Sequence, residues 1–237
     1  MLRVAVARVT EAAPGGAAGM PAWLGDSERQ RWTQLTPPAR APFAASRALL
    51  RELLQAATGV PAGAWDVSAP AGSAPTARAT RGEAASTAIH VSLSHRLGWV
   101  AAAVADAPVG VDIECERPPR SDPAERAALM LSPAERLAWD ELAPDAREPA
   151  LLACWTAKEA WFKASPPGAA PWDFRHVAAR ACATDSEQAN VRTWSAPPLH
   201  VALCCADARA LSDARCAGLA PDAATSSWFV HRVAAAD

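Results

Sequence analysis

The hexapeptide VGVDIE at residues 109–114 is apolar except for two carboxylates, Asp112 and Glu114. Successive side chains of a β-strand point to opposite faces, so a strand here places Asp112 and Glu114 on one face and Val111 and Ile113 on the other. Two neighbouring carboxylates repel each other unless a cation or a proton intervenes. Mg²⁺ suits such a pair because it takes oxygen ligands and keeps waters or substrate phosphate. The alternative is an exposed strand face with two solvated acids.

A second stretch, WTAKEAWFK, covers residues 155–163 and has the composition of a helix. On such a helix Glu159 lies one turn before Lys163. With Lys158, these side chains offer one acid and two cations, a set able to hold a metal–pyrophosphate unit and to assist a proton transfer. The alternative is a surface Glu–Lys pair of little energetic consequence beside a Trp and Phe core stripe.

A third stretch, SLSHR at residues 92–96, lies at the predicted end of a strand. Ser94, His95 and Arg96 bring a hydroxyl, an imidazole and a guanidinium to one junction, a combination suited to binding phosphate. A Ser–His nucleophile pair is disfavoured because adjacent strand residues face opposite ways and no G-x-S-x-G elbow is present. The sequence also has neither a P-loop nor a G-x-G-x-x-G turn after a strand. For His95 alone, the alternative is an ordinary surface histidine.

The overall composition excludes several classes of protein. The chain has 237 residues, enough to bury a sizeable core, and its 23 basic and 25 acidic side chains leave a net charge of −2. This balance argues against a nucleic-acid partner, and no apolar run is long enough to span a membrane. The six cysteines lack C-x-x-C spacing, and charged residues make the first segment a poor signal peptide. We therefore expect a cytoplasmic protein with reduced thiols and no zinc site.

Hydrophobic periodicity and turn residues divide the chain into strands and helices. We predict strands at 2–9, 89–95, 99–106, 109–114, 175–180, 190–194, 199–205 and 228–233. We predict helices at 26–34, 40–58, 122–130, 132–142 and 148–164, with Pro37-Pro38 ending the first helix and a loop over 67–87. Ser132 and Glu135 have the spacing of a capping box. The order of elements fits an α+β fold of two halves, 1–108 and 109–237, better than a parallel βαβ series.

Taken together, these stretches resemble the 4′-phosphopantetheinyl transferase superfamily. Its pattern is a G-[apolar]-D-x-E strand followed by a [FW]-[SCT]-x-K-E-[SA]-x-x-K helix, and residues 109–114 and 155–163 match both parts. Ser94 and His95 stand where the family has an S-H motif. Arg47 falls in the arginine position of a helix that the family also shares. The chain length is typical of the Sfp-type class.

The resemblance implies a fold, an activity and a setting. The fold is two similar α+β halves packed with pseudo-two-fold symmetry, with the active site at their interface. The activity is that of a Mg²⁺-dependent holo-[acyl-carrier-protein] synthase, which transfers 4′-phosphopantetheine from coenzyme A to a serine of an apo acyl or peptidyl carrier protein and releases 3′,5′-ADP. The setting is a cytoplasmic monomer whose carrier serves fatty-acid, polyketide or nonribosomal-peptide biosynthesis.

The resemblance also gives each candidate residue a role. Asp112, Glu114 and Glu159 are expected to hold the metal. Glu159 is expected to take the proton of the attacking serine, and Lys163 to stabilise the leaving phosphate oxygen. The residues expected to contact coenzyme A are Arg47, Arg81, Ser94, His95 and Lys158.

The sequence departs from the family pattern near the expected coenzyme A site. Glu83 stands where lysine is usual, Ala48 where related enzymes carry threonine, and Arg96-Leu97 where two small residues commonly follow the S-H motif. Two alternatives therefore stay open. One is a Mg²⁺-dependent nucleotidyl or phosphohydrolase that uses water as the acceptor, which free phosphopantetheine would indicate. The other is a non-catalytic coenzyme A or carrier-protein binding module, which tight nucleotide binding without product would indicate.

Overall fold

Most of the apolar stretches form strands of two sheets, and several of these strands are buried along almost their whole length. The computed structural model describes residues 1–9, 19–69, 73–80, 88–116, 122–166, 173–183 and 188–233. The strands in this part of the chain are β1 Leu2–Arg8, β2 Trp65–Ser68, β3 Thr76–Ala79, β4 His90–Arg96, β5 Trp99–Ala105, β6 Val109–Cys115, β7 Val177–Cys182, β8 Val191–Ala196, β9 Leu199–Cys205, β10 Cys216–Ala217 and β11 Ala224–Arg232. The α-helices are α1 Asp26–Thr33, α2 Pro37–Thr58, α3 Pro123–Met130, α4 Pro133–Asp140, α5 Pro144–Ala164 and α6 Ala208–Asp213.

The first sheet has the strand order β10-β1-β5-β4-β3-β2. Strands β4 and β5 form a tight hairpin in which Arg96 pairs with Trp99. Leu97 and Gly98 between them both have positive φ, 44° and 80°, as a two-residue type I′ turn requires. This turn fixes the register of β4 and therefore the position of Ser94 and the residues after it.

The second sheet has the strand order β6-β9-β8-β11-β7 and is antiparallel throughout. Its edge strand β6 lies against β4 of the first sheet, where the Val111 amide donates a hydrogen bond of 3.0 Å to Ser92 Oγ. The short strand β10 leaves the second half of the chain and pairs in parallel with β1. The two sheets are therefore connected both by packing and by strand pairing.

Three buried clusters give the molecule its layers. One lies between the sheets and joins side chains such as Val6 and Ala103 of the first to Val111 and Leu203 of the second. A second lies between α2 and the other face of the first sheet. A third lies between α5, helped by α3 and α4, and the other face of the second sheet. The result is an α+β fold layered as helix, sheet, sheet, helix.

Two predicted helix boundaries are wrong for the same reason. Pro37-Pro38 does not end α1 but starts α2, and α5 starts at Pro144 rather than at 148. Proline is well tolerated in the first turn of a helix, where its missing N–H has no partner within the helix. A proline before a helical stretch therefore marks the start of that stretch as readily as the end of an earlier one.

The predicted loop over 67–87 is wrong where the structure describes it. Strands β2 and β3 pair there as a hairpin, with Val67 opposite Ala77. Alanine-rich stretches have weak intrinsic strand preference, so burial of their alternate residues against α2 decides the outcome. In the tail, α6 and β10 were not predicted, and β11 begins at Ala224, before the predicted position.

Two general properties complete the fold. All six cysteines lie in the described ranges and are free thiols, five of them buried. Within those ranges no helix has both the length and the hydrophobicity needed to cross a membrane.

Candidate active site

Strand β6 presents two carboxylates to the side of the second sheet that α5 covers. Val111 and Ile113 are buried in the core between the sheets, so strand alternation turns Asp112 and Glu114 the other way. Asp112 is 5% exposed, whereas Glu114 is only partly buried. A buried aspartate of this kind needs compensating charge or hydrogen bonds.

Helix α5 supplies that charge because it packs unusually close to β6. A Cβ atom on Gly110 would lie 1.9 Å from the Ala160 carbonyl oxygen, so only glycine allows this approach. The approach brings Lys163 Nζ to 2.6 Å from Asp112 Oδ1. The ammonium also donates to the Val111 carbonyl oxygen at 3.3 Å.

Ser94, from β4, connects the first sheet to this ion pair. Its hydroxyl donates to Asp112 Oδ1 at 2.8 Å and accepts from Lys163 Nζ at 3.2 Å. The three side chains come from β4, β6 and α5, so the site lies where the two sheets meet. The structure thus gives Ser94 protein partners, and its predicted contact with coenzyme A stays a prediction.

The second oxygen of Asp112 is left without a partner. Asp112 Oδ2 is buried and has no hydrogen bond within the described residues. Leaving a buried carboxylate oxygen unsatisfied is costly, and a divalent cation is a ligand that would satisfy it.

Glu159 lies one helical turn before Lys163, and its pKa is raised above the ordinary value of a glutamate. Burial, the negative charge of Asp112 and, to a smaller extent, that of Glu114 together raise the pKa of Glu159 to about 7. The ammonium of Lys163 acts in the opposite direction. A carboxyl group that titrates near neutral pH is well matched to general base catalysis.

Glu114 has a cation of its own. Arg96 Nε lies 2.9 Å from Glu114 Oε2, and the two side chains are 35% and 14% exposed. Arg96 is the residue that follows the S-H motif, so the departure from the family pattern falls directly on a predicted metal ligand.

The chemistry of the three carboxylates fits a hard cation, although their positions do not form a finished site. Across the described ranges no group of three His, Cys, Asp or Glu side chains is close enough together to hold a metal ion. Two observations favour the fit: the unpartnered oxygen of Asp112 and the effect of both Asp112 and Glu114 on the pKa of Glu159. Carboxylate oxygens are also the ligands that Mg²⁺ prefers.

His95 and Arg47 form a separate positive region on the other face of β4. Partial loss of water lowers the pKa of His95, and the charges of Arg47, Lys163 and Arg96 lower it further. The Arg47 guanidinium lies over the Phe43 ring, 4.0 Å from its centroid. Burial lowers the pKa of Arg47 to about 10, against the opposing effect of Glu28, so the guanidinium stays charged at neutral pH. A region of this kind is suited to an anion.

Lys158 is not part of the site, and its predicted contact with coenzyme A is wrong. Its side chain is fully buried, and its ammonium lies 2.6 Å from Glu135 Oε2. It also donates to the carbonyl oxygens of Met130 and Phe174. With these partners the ammonium joins α5 to the start of α4 and cannot reach a ligand.

A cavity of about 700 Å³ opens beside Lys163, between β3, β4 and the end of α5. Its lining is mostly apolar and includes the basic side chains of Arg78 and Lys163. This volume is in the range of small-molecule sites. Arg81, another predicted coenzyme A contact, lies outside the described residues.

Three residues make contacts that the sequence did not predict. Gly110 sets the distance between α5 and β6, and a glycine inside a strand is the signal that could have indicated it. Arg96 was predicted as part of a phosphate-binding junction and as a departure from the family pattern, but not as the partner of Glu114. Glu135 was expected only as a capping residue, and nothing local to it indicates its ion pair with Lys158.

A family model described as the 4′-phosphopantetheinyl transferase superfamily matches residues 108–217, which include β6, α5 and β9. The search of curated proteins found no match.

Proposed function

We propose that this chain moves 4′-phosphopantetheine from coenzyme A to a serine of an apo acyl or peptidyl carrier protein, because residues 108–217 match the family model of the 4′-phosphopantetheinyl transferase superfamily. The other product is 3′,5′-ADP. The observation that carries the proposal is the junction of Ser94, Asp112 and Lys163, with Glu159 one turn away. This junction combines the Asp112 carboxylate, the Lys163 ammonium and the proposed base Glu159 where the two sheets meet.

The proposed transfer makes one bond and breaks one bond. The serine oxygen of the carrier forms a bond to the β-phosphorus of coenzyme A, and the bond from that phosphorus to the oxygen bridging it to 3′,5′-ADP breaks. The proton of the serine goes to Glu159, directly or through a water. In the metal-free protein the pKa of Glu159 is about 7, close to the pH at which a general base is most effective.

The second requirement is stabilisation of the negative charge that develops on the leaving group. Lys163 is placed to stabilise the leaving phosphate oxygen, since its ammonium already lies at the site and is 29% exposed. Ser94 keeps that ammonium beside Asp112. The carboxylates of Asp112, Glu114 and Glu159 would hold Mg²⁺, which supplies neutralisation of the negative charge that develops on the pyrophosphate.

Coenzyme A binding is supported by the cavity beside Lys163 and by the positive region around Arg47. The cavity has room for a small-molecule arm that begins at the reacting phosphate. His95 and Arg47 are proposed to contact the phosphates, because their positive surroundings favour anions. Arg81 is kept as a predicted contact.

The setting of the reaction is also proposed. A cytoplasmic location is supported by the six free cysteines, which are typical of a reducing compartment. The monomeric state, the Sfp-type class and the pathway that the carrier serves remain predictions from the resemblance.

The proposal is tested by weighing an intact apo carrier protein after incubation with the chain, coenzyme A and Mg²⁺. We expect a gain equal to one phosphopantetheine with the wild-type chain and a loss of at least about 100-fold in rate with Glu159→Gln, the size of a general base contribution. Glu52→Gln, at an exposed position on α2, is the matched control and should keep full activity.

Other products distinguish the alternatives. Free phosphopantetheine with an unmodified carrier would replace the proposal with hydrolysis. Binding of coenzyme A without any product, over several carriers, would replace it with a non-catalytic module.

A further inference from the structure

Arg96 forms an ion pair with Glu114, one of the carboxylates proposed to bind a divalent cation. The distance from Arg96 Nε to Glu114 Oε2 is 2.9 Å, short enough for a close ion pair. The pair is partly shielded from water, so salt screens it less than it screens an open surface pair. Glu114 therefore already has a positive partner that belongs to the chain itself.

The site as a whole is largely neutralised by such partners. Asp112 has Lys163, Glu114 has Arg96, and no ion pair of Glu159 is found within the described ranges. When Glu159 is ionised, two cations thus face three carboxylates. A divalent ion approaching this arrangement meets one net negative charge, and without Arg96 it would meet two.

The two resident cations are held differently. The Lys163 ammonium also bonds to Ser94 and to the Val111 carbonyl oxygen, and it leaves Asp112 Oδ2 without a partner. Arg96 Nε makes no hydrogen bond of good geometry, although it is buried and close to Glu114. The Arg96 side chain is 35% exposed and reaches solvent at the end of β4.

We propose that Arg96 is a resident counter-cation of the metal site, which a divalent ion must displace from Glu114. It follows that Arg96 weakens the affinity of the site for divalent ions, and that removing its charge strengthens that affinity. The inference rests on the proposed function in one respect, the assignment of Asp112, Glu114 and Glu159 as metal ligands.

The test is direct binding of Mn²⁺ to the full chain, followed by the loss of the free Mn²⁺ electron paramagnetic resonance signal. We expect Arg96→Ser to lower the dissociation constant by about fivefold, the factor equivalent to a partly exposed ion pair. Arg96→Lys keeps the charge and should stay closer to the wild type. Arg8→Ser is the matched control, because Arg8 is an exposed cation on β1, separated from β4 by β5, and it lies over the Trp99 ring of β5. Its removal should change affinity less than about twofold.

A double-mutant cycle shows whether Arg96 acts through Glu114. In a Glu114→Gln background we expect Arg96→Ser to have almost no further effect on Mn²⁺ affinity, because the carboxylate it pairs with is gone. Unchanged or weaker Mn²⁺ binding by Arg96→Ser would overturn the inference. So would a fivefold effect that persists in the Glu114→Gln background.

Carrier modification measured on the same samples separates this inference from the proposed function. If the wild-type chain modifies the carrier while Arg96→Ser leaves Mn²⁺ affinity unchanged, only the role of Arg96 is wrong. If neither chain binds Mn²⁺ and the carrier stays unmodified, both the inference and the proposed function are wrong.

Discussion

Glu159 is the residue in which the stability of the fold and the chemistry of the site oppose each other. Burial and two neighbouring acids raise the pKa of Glu159 to about 7, so ionising it in the folded protein is costly. An unfolded chain has no such cost, because Glu159 is then solvated. A base poised near neutral pH is thus obtained by weakening the native state above that pH.

This opposition predicts how stability depends on pH in the presence of a metal chelator. Because the folded pKa is raised, the stabilisation from protonated Glu159 is complete below about pH 4.5 and is lost as the pH rises through about 7. We expect Glu159→Gln, which cannot ionise, to increase the free energy of unfolding by about 2 kcal/mol at pH 8 and to have little effect at pH 4.5. Urea unfolding at the two pH values measures the difference, and an equal effect at both would contradict the assignment.

Lys158 and Lys163 show the limit of a sequence motif at the residue scale. Five residues apart on a helix, they are separated by about 140° around its axis and so face different surroundings. Lys163 faces Asp112 at the junction of the sheets, whereas Lys158 faces Glu135 inside the third cluster. The motif specifies both lysines, but only the packing of α5 determines which of them is accessible.

The buried pair predicts a large stability effect from Lys158. Lys158→Met removes the cation that pairs with Glu135 and leaves a mostly buried carboxylate that keeps hydrogen bonds from the Ser132 and Ala179 amides but has lost its counter-charge. We therefore expect a loss of about 3 kcal/mol in unfolding free energy, the low end for a broken buried ion pair. A second variant, Lys158→Met with Glu135→Gln, should recover part of that loss. Chemical denaturation measures both, and a loss below about 1 kcal/mol for Lys158→Met would show that the pair is not structural.

At the scale of elements, the contact between α5 and β6 determines the geometry of the site. Gly110 lies under the Ala160 carbonyl oxygen, with no room for a side chain. Lys163 reaches Asp112 only because the helix comes this close to the strand. A shift of α5 would therefore change both the packing and the ion pair at once.

The contact predicts that Gly110→Ala reduces both stability and carrier modification. The added methyl group would overlap the helix backbone, so α5 must move, at a cost of at least about 1–3 kcal/mol. Gly63→Ala is the matched control, because a Cβ there meets no atom within 4 Å. Thermal unfolding and carrier modification are measured for both variants. Wild-type activity in a folded Gly110→Ala variant would show that the close approach is not needed.

The sequence predicts elements whose signals lie within a few neighbouring residues. It does not predict elements that form only when residues far away in sequence bury them. The start of α4 was predicted because Ser132 and Glu135 cap each other across one turn, and the structure has both hydrogen bonds. The hairpin of β2 and β3 was missed because its small residues become a strand only when α2 and the first sheet bury them. The same reason applies to β10, two residues whose pairing partner β1 is far away in sequence.

At the scale of the whole molecule, the two halves of the chain share one core. The cluster between the sheets contains residues of β1 and β5 as well as β6 and β9. Strand β10, from the second half, completes the first sheet. Sequence motifs supplied Ser94, Asp112 and Lys163 as candidates, but their contact joins positions up to 69 residues apart and follows from this shared core.

The shared core predicts that neither half folds alone. Residues 109–237 expressed without 1–108 would expose the apolar face of β6 and β9 and leave β10 without β1. We expect circular dichroism and amide exchange of this fragment to show little stable structure, and mixing with the other fragment to restore it. A cooperative unfolding transition in the isolated fragment would instead make the two halves independent domains.

The most direct test of the central claim counts the products of one reaction. After incubation of the wild-type chain with coenzyme A, Mg²⁺ and an apo carrier protein, the modified carrier and the released 3′,5′-ADP are both quantified by mass spectrometry. We expect one 3′,5′-ADP for each phosphopantetheine gained by the carrier serine, and both products to form at least about 100-fold more slowly with Glu159→Gln. Release of 3′,5′-ADP without a gain in carrier mass, or no product with any carrier tested, would contradict the central claim.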